Sequence, residues 1–189
     1  MIFEEIKSKL ETVLSKKRFV HSINVMNTAC ALAKKHGVDE EKALLAGLLH
    51  DCARYLSNEE ALMMCERFGI EVGNITRLQP VLLHGPVGSY VAKEEYGVLD
   101  NEICHAIYYH TTGKENMSTL DKIIYVADYI EPGRSFAGVE NVRNQAFKNL
   151  DMAMLISLDQ GIGHLMVKGA LIHPDSISAR NYLLMKATN

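Results

Sequence analysis

The sequence predicts an all-α fold, a single-domain helical bundle over 1–189, on three observations. Apolar residues recur with helical period in almost every segment, capping residues punctuate those segments, and no run alternates as a half-buried strand would. Ile2, Phe3, Ile6, Leu10 and Val13 make a first apolar stripe. Phe19, Ile23, Met26, Cys30 and Ala33 make a second, which ends at His36-Gly37. Asp39 is placed to cap the next helix, whose Leu44, Leu45, Leu48 and Leu49 lead into His50-Asp51. Ser57 with Glu60 forms a capping box ahead of Leu62, Met63 and Met64, and Gly69 is suited to end that helix. Asp100 opens a helix through Ile103 and Ile107 to His110, and Ser118 with Asp121 opens another through Ile123, Ile124 and Ala127 to Asp128, stopped by Pro132-Gly133. The stretch 139–169 reads as long and apolar, broken near Asn149 or at Gly161-Gly163, and Ser176 is expected to cap a last helix to Met185. There is no linker, repeat or low-complexity tract.

Composition narrows the setting. With 189 residues and 48% hydrophobic content, one domain with a sizeable core is the natural reading. The start, Met1-Ile2-Phe3-Glu4-Glu5, has no secretory pattern and no apolar run reaches membrane-spanning length, so a soluble cytoplasmic protein is expected. Cys30, Cys52, Cys65 and Cys104 have neither metal-like nor redox-like spacing and read as small reduced core residues. A net charge of −3 offers no global field for nucleic acid, so an anionic partner must be held by local cations or metal. A small phosphorylated ligand fits best, and a homodimer is compatible with the sequence.

Chemistry concentrates in six side chains in a fixed order: His21, His50-Asp51, His84, His110 and Asp128. All fall in segments that read as helices. Imidazoles mixed with carboxylates are the donor set that borderline divalent metals prefer, and the arrangement points to a metal-dependent hydrolase. His21 and Asn24 lie three apart and share a face distinct from the Phe19, Ile23, Met26 stripe, so one helix presents a ligand and a hydrogen-bonding amide. Arg54 follows His50 by four and Asp51 by three, which sets a guanidinium beside the metal pair for phosphate if helical geometry persists. Asp128 shares its face with Ile124 and Tyr125, Glu131 continues it, and Arg134 follows as a second cation on a loop. The competing readings are structural: a helix cap for His50-Asp51, turn residues for His84 and His110, a pre-proline loop residue for His173, and a solvated helix start for Lys16-Lys17-Arg18. His36, His105 and His164 are given no catalytic role.

The order His21, His50-Asp51, Asp128 resembles the metal-dependent HD phosphohydrolases at every position of their four-residue signature. Residues His110-Thr111-Thr112-Gly113, Ala127-Asp128-Tyr129-Ile130-Glu131-Pro132-Gly133-Arg134, His173-Pro174-Asp175 and Ala179-Arg180-Asn181-Tyr182-Leu183-Leu184 extend the resemblance to the YqeK subfamily over essentially the whole chain. One departure is Arg54, where lysine is common. The resemblance implies an HD-type bundle and an iron-dependent enzyme cleaving symmetric diadenosine tetraphosphate to two ADP by attack of metal-bound water. Metal ligands are then expected at His21, His50, Asp51 and Asp128, and catalytic roles at Asp51, His84 and His110. Substrate contacts are expected from Asn24, Arg54, His84, His110, Thr111, Arg134, His173 and Arg180. His84 and His110 have two open roles, a second metal with Asp51 bridging or phosphate contacts and leaving-group protonation, with the balance toward one ion and phosphate contacts. Other readings are an HD nucleotidase, a cyclic-dinucleotide phosphodiesterase, a metal- and nucleotide-binding regulator without turnover, and a diiron oxygenase.

Overall fold

A computed structural model describes residues 3–188, and every regular element among them is helical. Ile2 of the first predicted stripe lies outside the described residues. The helices are α1 (Phe3–Val13), α2 (Lys16–His36), α3 (Glu40–Leu49), α4 (Asn58–Phe68), α5 (Asn74–Leu78), α6 (His84–Tyr96), α7 (Asn101–Tyr109), α8 (Thr119–Ile130), α9 (Val139–Ala146), α10 (Leu150–Val167) and α11 (Pro174–Thr188). No helix among the described residues is long and apolar enough to cross a membrane.

The expected punctuation is present. Asp39 and Asp100 accept backbone N–H groups of the first turns of α3 and α7, and Ser57-Glu60 and Ser118-Asp121 form complete capping boxes. Gly37 and Gly69 close α2 and α4 in the left-handed conformation at φ 69° and 65°. One alternative is resolved and three expectations shift. The long apolar stretch breaks at Asn149, which caps α10 by accepting from Met152 N, while Gly161 and Gly163 stay inside that helix. Ser176 is not a cap: α11 begins at Pro174, where a missing N–H costs nothing, and runs to Thr188. The Ser176 hydroxyl instead donates to Thr112 O at 2.8 Å and ties α11 to the loop after α7. The buried face of α2 is Ser22, Val25, Met26, Ala29, Leu32 and Ala33, rotated from the predicted stripe because α2 packs against both α3 and α8. His84-Gly85-Pro86, which carried a turn reading, opens α6, since proline is tolerated in a first helical turn.

One apolar core runs through α1–α4 and α6–α11. Two glycines set its tightest crossings. A Cβ on Gly47 would lie 2.9 Å from Met26 Cα, so α2 and α3 touch backbone to backbone; a Cβ on Gly85 would lie 2.7 Å from Tyr108 O, so α6 and α7 do the same. The first contact joins the helices of His21 and His50, the second those of His84 and His110.

Candidate metal centre

The six side chains singled out in the sequence converge on one buried locus. His21 and Asp128 project from the interiors of α2 and α8, whereas His50, Asp51 and His110 stand just past the ends of α3 and α7 rather than within them, and His84 is the first residue of α6. His50, Asp51 and His110 are 0%, 2% and 2% exposed. His21 Nε2 lies 3.0 Å from Asp128 Oδ1 and 3.2 Å from His50 Nε2. On the other side, His84 Nε2 and His110 Nε2 are 3.1 Å apart, and Thr111 Oγ1 is 3.1 Å from each.

Asp51 stands between the two groups and turns one oxygen to each. Its Oδ2 is 3.7 Å from His50 Nε2 and 4.0 Å from His21 Nε2; its Oδ1 is 3.3 Å from His84 Nε2 and 3.8 Å from His110 Nε2. The donor atoms group as His21, His50 and Asp51; His50, His110 and Asp128; and Asp51, His84 and His110, each within 4.8 Å.

The hydrogen bonds on the far side of each ring decide which nitrogen faces inward. His50 Nδ1 is 2.8 Å from Gly47 O, His84 Nδ1 2.5 Å from Val81 O, and His110 Nδ1 2.7 Å from Ile107 O. A carbonyl only accepts, so each Nδ1 donates and each Nε2 presents a lone pair inward. Two such lone pairs, on His84 and His110 at 3.1 Å, repel unless a cation lies between them, and nitrogens each ~2.1 Å from one ion sit about this far apart. The donor set therefore fits divalent metal. Gly47 and Ile107 lie in the last turns of α3 and α7, where helix carbonyls run short of backbone donors, and the histidines donate to them.

Charge follows the same arrangement. Burial opposes ionisation of Asp51, but the surrounding His50, His84 and His110 outweigh it and hold the carboxyl at about 2. Burial pushes His84 down to about 3, with His110 adding to the effect, and lowers His50 as well. For Asp128, burial is outweighed by the His21 hydrogen bond, by His50 and by Arg134, so its pKa falls well below the carboxylate range. The shifts favour anionic Asp51 and Asp128 and neutral His50 and His84, the protonation states that ligands need.

Cations ring the cluster. Arg134 Nη2 donates to Asp128 Oδ1 at 2.6 Å and its Nε to Asp128 O at 3.0 Å. Arg54 Nε is 3.9 Å from Asp51 Oδ1 across a chain that continues as tight turns rather than helix. Arg18, from the basic start of α2, donates to Asp51 Oδ2 at 2.8 Å. Asn24 Nδ2 is turned to Glu131 Oε2 at 2.9 Å. Two cavities flank the centre: one of about 220 Å³ lined by Leu82, Pro86, Tyr108, Thr111, Thr112 and His173, and one of about 280 Å³ lined by His110, Tyr125, Asp128, Tyr129, Arg134 and Phe136. A third, of about 540 Å³, opens beside Lys17, Arg18, His21, Asn24 and Arg134. Arg180 stands apart, paired with Asp159 of α10 rather than with a cluster residue. Glu131, which the sequence shows only as a continuation of the Asp128 face, is 4% exposed and 3.2 Å from His21 Nδ1. Its place three residues after Asp128 and just before Pro132-Gly133 was the available signal.

Residues 18–133 match the HD domain family, a span that holds the whole cluster. The chain is 43% identical to a symmetrical bis(5'-nucleosyl)-tetraphosphatase of Halalkalibacterium halodurans over 92% of each protein. It is 39% identical to one of Bacillus subtilis over 96% of this chain and 97% of that one. A crystal structure from Clostridium acetobutylicum, described as a predicted HD superfamily hydrolase involved in NAD metabolism, superposes with a TM-score of 0.96 at 44% identity over 98% of both chains. With the His-Asp cluster inside the matched span and similarity along nearly its full length, this chain belongs to the HD domain family, in the group of its members that includes the symmetrical bis(5'-nucleosyl)-tetraphosphatases.

Proposed function

We propose that the protein is a metal-dependent symmetrical bis(5'-nucleosyl)-tetraphosphatase that hydrolyses diadenosine tetraphosphate or a related dinucleoside polyphosphate to two ADP. The observation that carries this is the near full-length similarity to two such enzymes, coinciding with a cluster of four inward-facing imidazole nitrogens and two anionic carboxylates. The donor set would hold divalent metal, which supplies Lewis acidity at phosphoryl oxygens and a water nucleophile at neutral pH.

The finer assignments rest on geometry. His21, His50, Asp51 and Asp128 form one ligand group and His84, His110 and Asp51 a second, with Asp51 shared. The divided Asp51 oxygens favour two ions over the single ion with phosphate-binding histidines toward which the sequence leans. A pair of metals matched to imidazole and carboxylate is consistent with iron. Arg18, Arg54 and Arg134 are already at the carboxylates and are assigned to the polyphosphate, where guanidinium groups meet phosphate oxygens two at a time and neutralise charge as the anhydride breaks. Thr111 positions a hydroxyl beside His84 and His110, and the flanking cavities, with Tyr108 and His173 in one and Tyr125, Tyr129 and Phe136 in the other, are assigned to the nucleosides. Arg180 and Asn24 act at one remove, through Asp159 and Glu131. The partner is a small nucleotide rather than nucleic acid, the setting cytoplasmic, the working unit a single domain over 1–189, and a homodimer is compatible with all of this.

The test is regiochemical. Turnover in heavy-oxygen water should give ADP as the nucleotide product, with one label in only one of the two molecules formed per substrate, because one attack opens one anhydride. AMP and ATP as products would refute symmetric cleavage, and dioxygen uptake would point to an oxygenase. Metal analysis of protein purified without chelators should find iron at two ions per chain.

A further inference from the structure

Three of the cluster histidines are oriented by the carbonyl three residues before them, and His21 is not. It sits inside α2, where neighbouring carbonyls are already engaged in the helix, and its Nδ1 reaches Glu131 Oε1 across 110 positions of sequence at 3.2 Å. We propose that Glu131 is a positioning residue of the metal centre: its carboxylate accepts the His21 Nδ1 proton and so turns an unprotonated Nε2 toward the ion. The inference rests on His21 being a metal ligand.

The surroundings of Glu131 are built for this one task. Its carboxylate is almost fully buried, yet remains anionic because three donors converge on it: Gly133 N at 2.6 Å and Asn24 Nδ2 at 2.9 Å on Oε2, and His21 on Oε1. Arg134 Nε stands 3.7 Å from Oε1 and adds positive charge. Glycine at 133 leaves room for the carboxylate, since a Cβ there would fall 2.8 Å from Oε1 and 2.9 Å from Oε2 and displace it. The turn that carries Glu131 is clamped from α9 by Arg143, which donates to the carbonyls of Ile130, Glu131 and Arg134 at 2.8, 2.9 and 2.7 Å. An ionised carboxylate has no proton to give, so His21 Nδ1 must be the donor. Outer partners of this kind orient a ligating imidazole and raise its basicity.

Glu131→Gln discriminates positioning from space filling. The amide has one accepting oxygen for three donors, so either its NH₂ faces His21 Nδ1 and drives the ring to the Nε2–H form, or it faces Gly133 N and Asn24 and is repelled. Zn²⁺-loaded wild type and variant, with ¹⁵N-labelled histidine, should show His21 protonated on Nδ1 in the first and not uniformly so in the second. Titration with Co²⁺ alone, followed by absorbance, should show the first ligand group weakened roughly 10- to 100-fold in the variant with the second group unaffected. Equal Co²⁺ affinity in both proteins, or weakened binding with His21 still held as Nδ1–H, would overturn the proposal. Should the variant not fold, the wild-type spectrum decides: Nε2–H at His21 refutes the role, Nδ1–H supports it. A failure of the metal reading itself looks different, since wild type would then take up no Co²⁺.

Discussion

Two helix pairs supply the cluster, and they solve the same problem differently. In α6–α7, crossing at Gly85, both histidines stand at helix boundaries, and carbonyls three residues back fix them. In α2–α3, crossing at Gly47, His50 follows that rule but His21 lies mid-helix and depends on a carboxylate from the far end of α8. A ligand at a helix end can use the unpaired carbonyls of the last turn; one in a helix interior needs a partner from elsewhere. The α6–α7 half is therefore locally encoded and the α2–α3 half is an assembly of three helices.

The comparison breaks most severely at the residue both halves share. Asp51→Ala should remove metal from both and lower kcat/KM on the order of 10³-fold or more, because shared-ligand loss disables two groups at once. Metal analysis and turnover read this directly, and an Asp51→Ala protein with one full-strength ion would show the halves to be independent. Single-half variants sharpen the contrast. His84→Ala should leave the first ion in place and Asp128→Ala the second, each with a loss of about two orders of magnitude in turnover; two ions retained in either variant would rule out the ligand groups as drawn.

Arg134→Ala probes the rim. Although the side chain pairs with Asp128, its loss should leave metal content unchanged and cost about 2 kcal/mol in kcat/KM, an effect that diminishes at high salt. Unaltered efficiency at low and high salt would confine Arg134 to structure. The smallest effects are expected at the crossings. Gly47→Ala and Gly85→Ala should each destabilise by about 1–3 kcal/mol through overpacking, lowering the melting midpoint by roughly 2–4 °C per kcal/mol. If either melts like wild type, that crossing can open without cost and does not set its histidine pair.

Much of this was legible along the chain because it is local. Helix starts at Asp39, Ser57, Asp100 and Ser118 and stops at Gly37 and Gly69 depend on residues a few positions apart, and the order of His21, His50-Asp51 and Asp128 is a property of the sequence alone. What eluded it is set by contacts between helices. The buried face of α2 turned because two helices pack on it, and Ser176 and Asn24 found acceptors on other elements. Arg18 and Arg180 show how far such contacts reach: the first, one of three basic residues at a helix start, meets Asp51 from 33 positions away, and the second pairs with Asp159 of α10. The residue types, and so the chemistry of imidazole, carboxylate and guanidinium, were determined by sequence. Which Asp51 oxygen faces which histidines, and that Glu131 rather than a nearby carbonyl orients His21, were decided only by the tertiary structure, because a ligand's direction depends on where separate helices cross and a linear spacing carries no such distance.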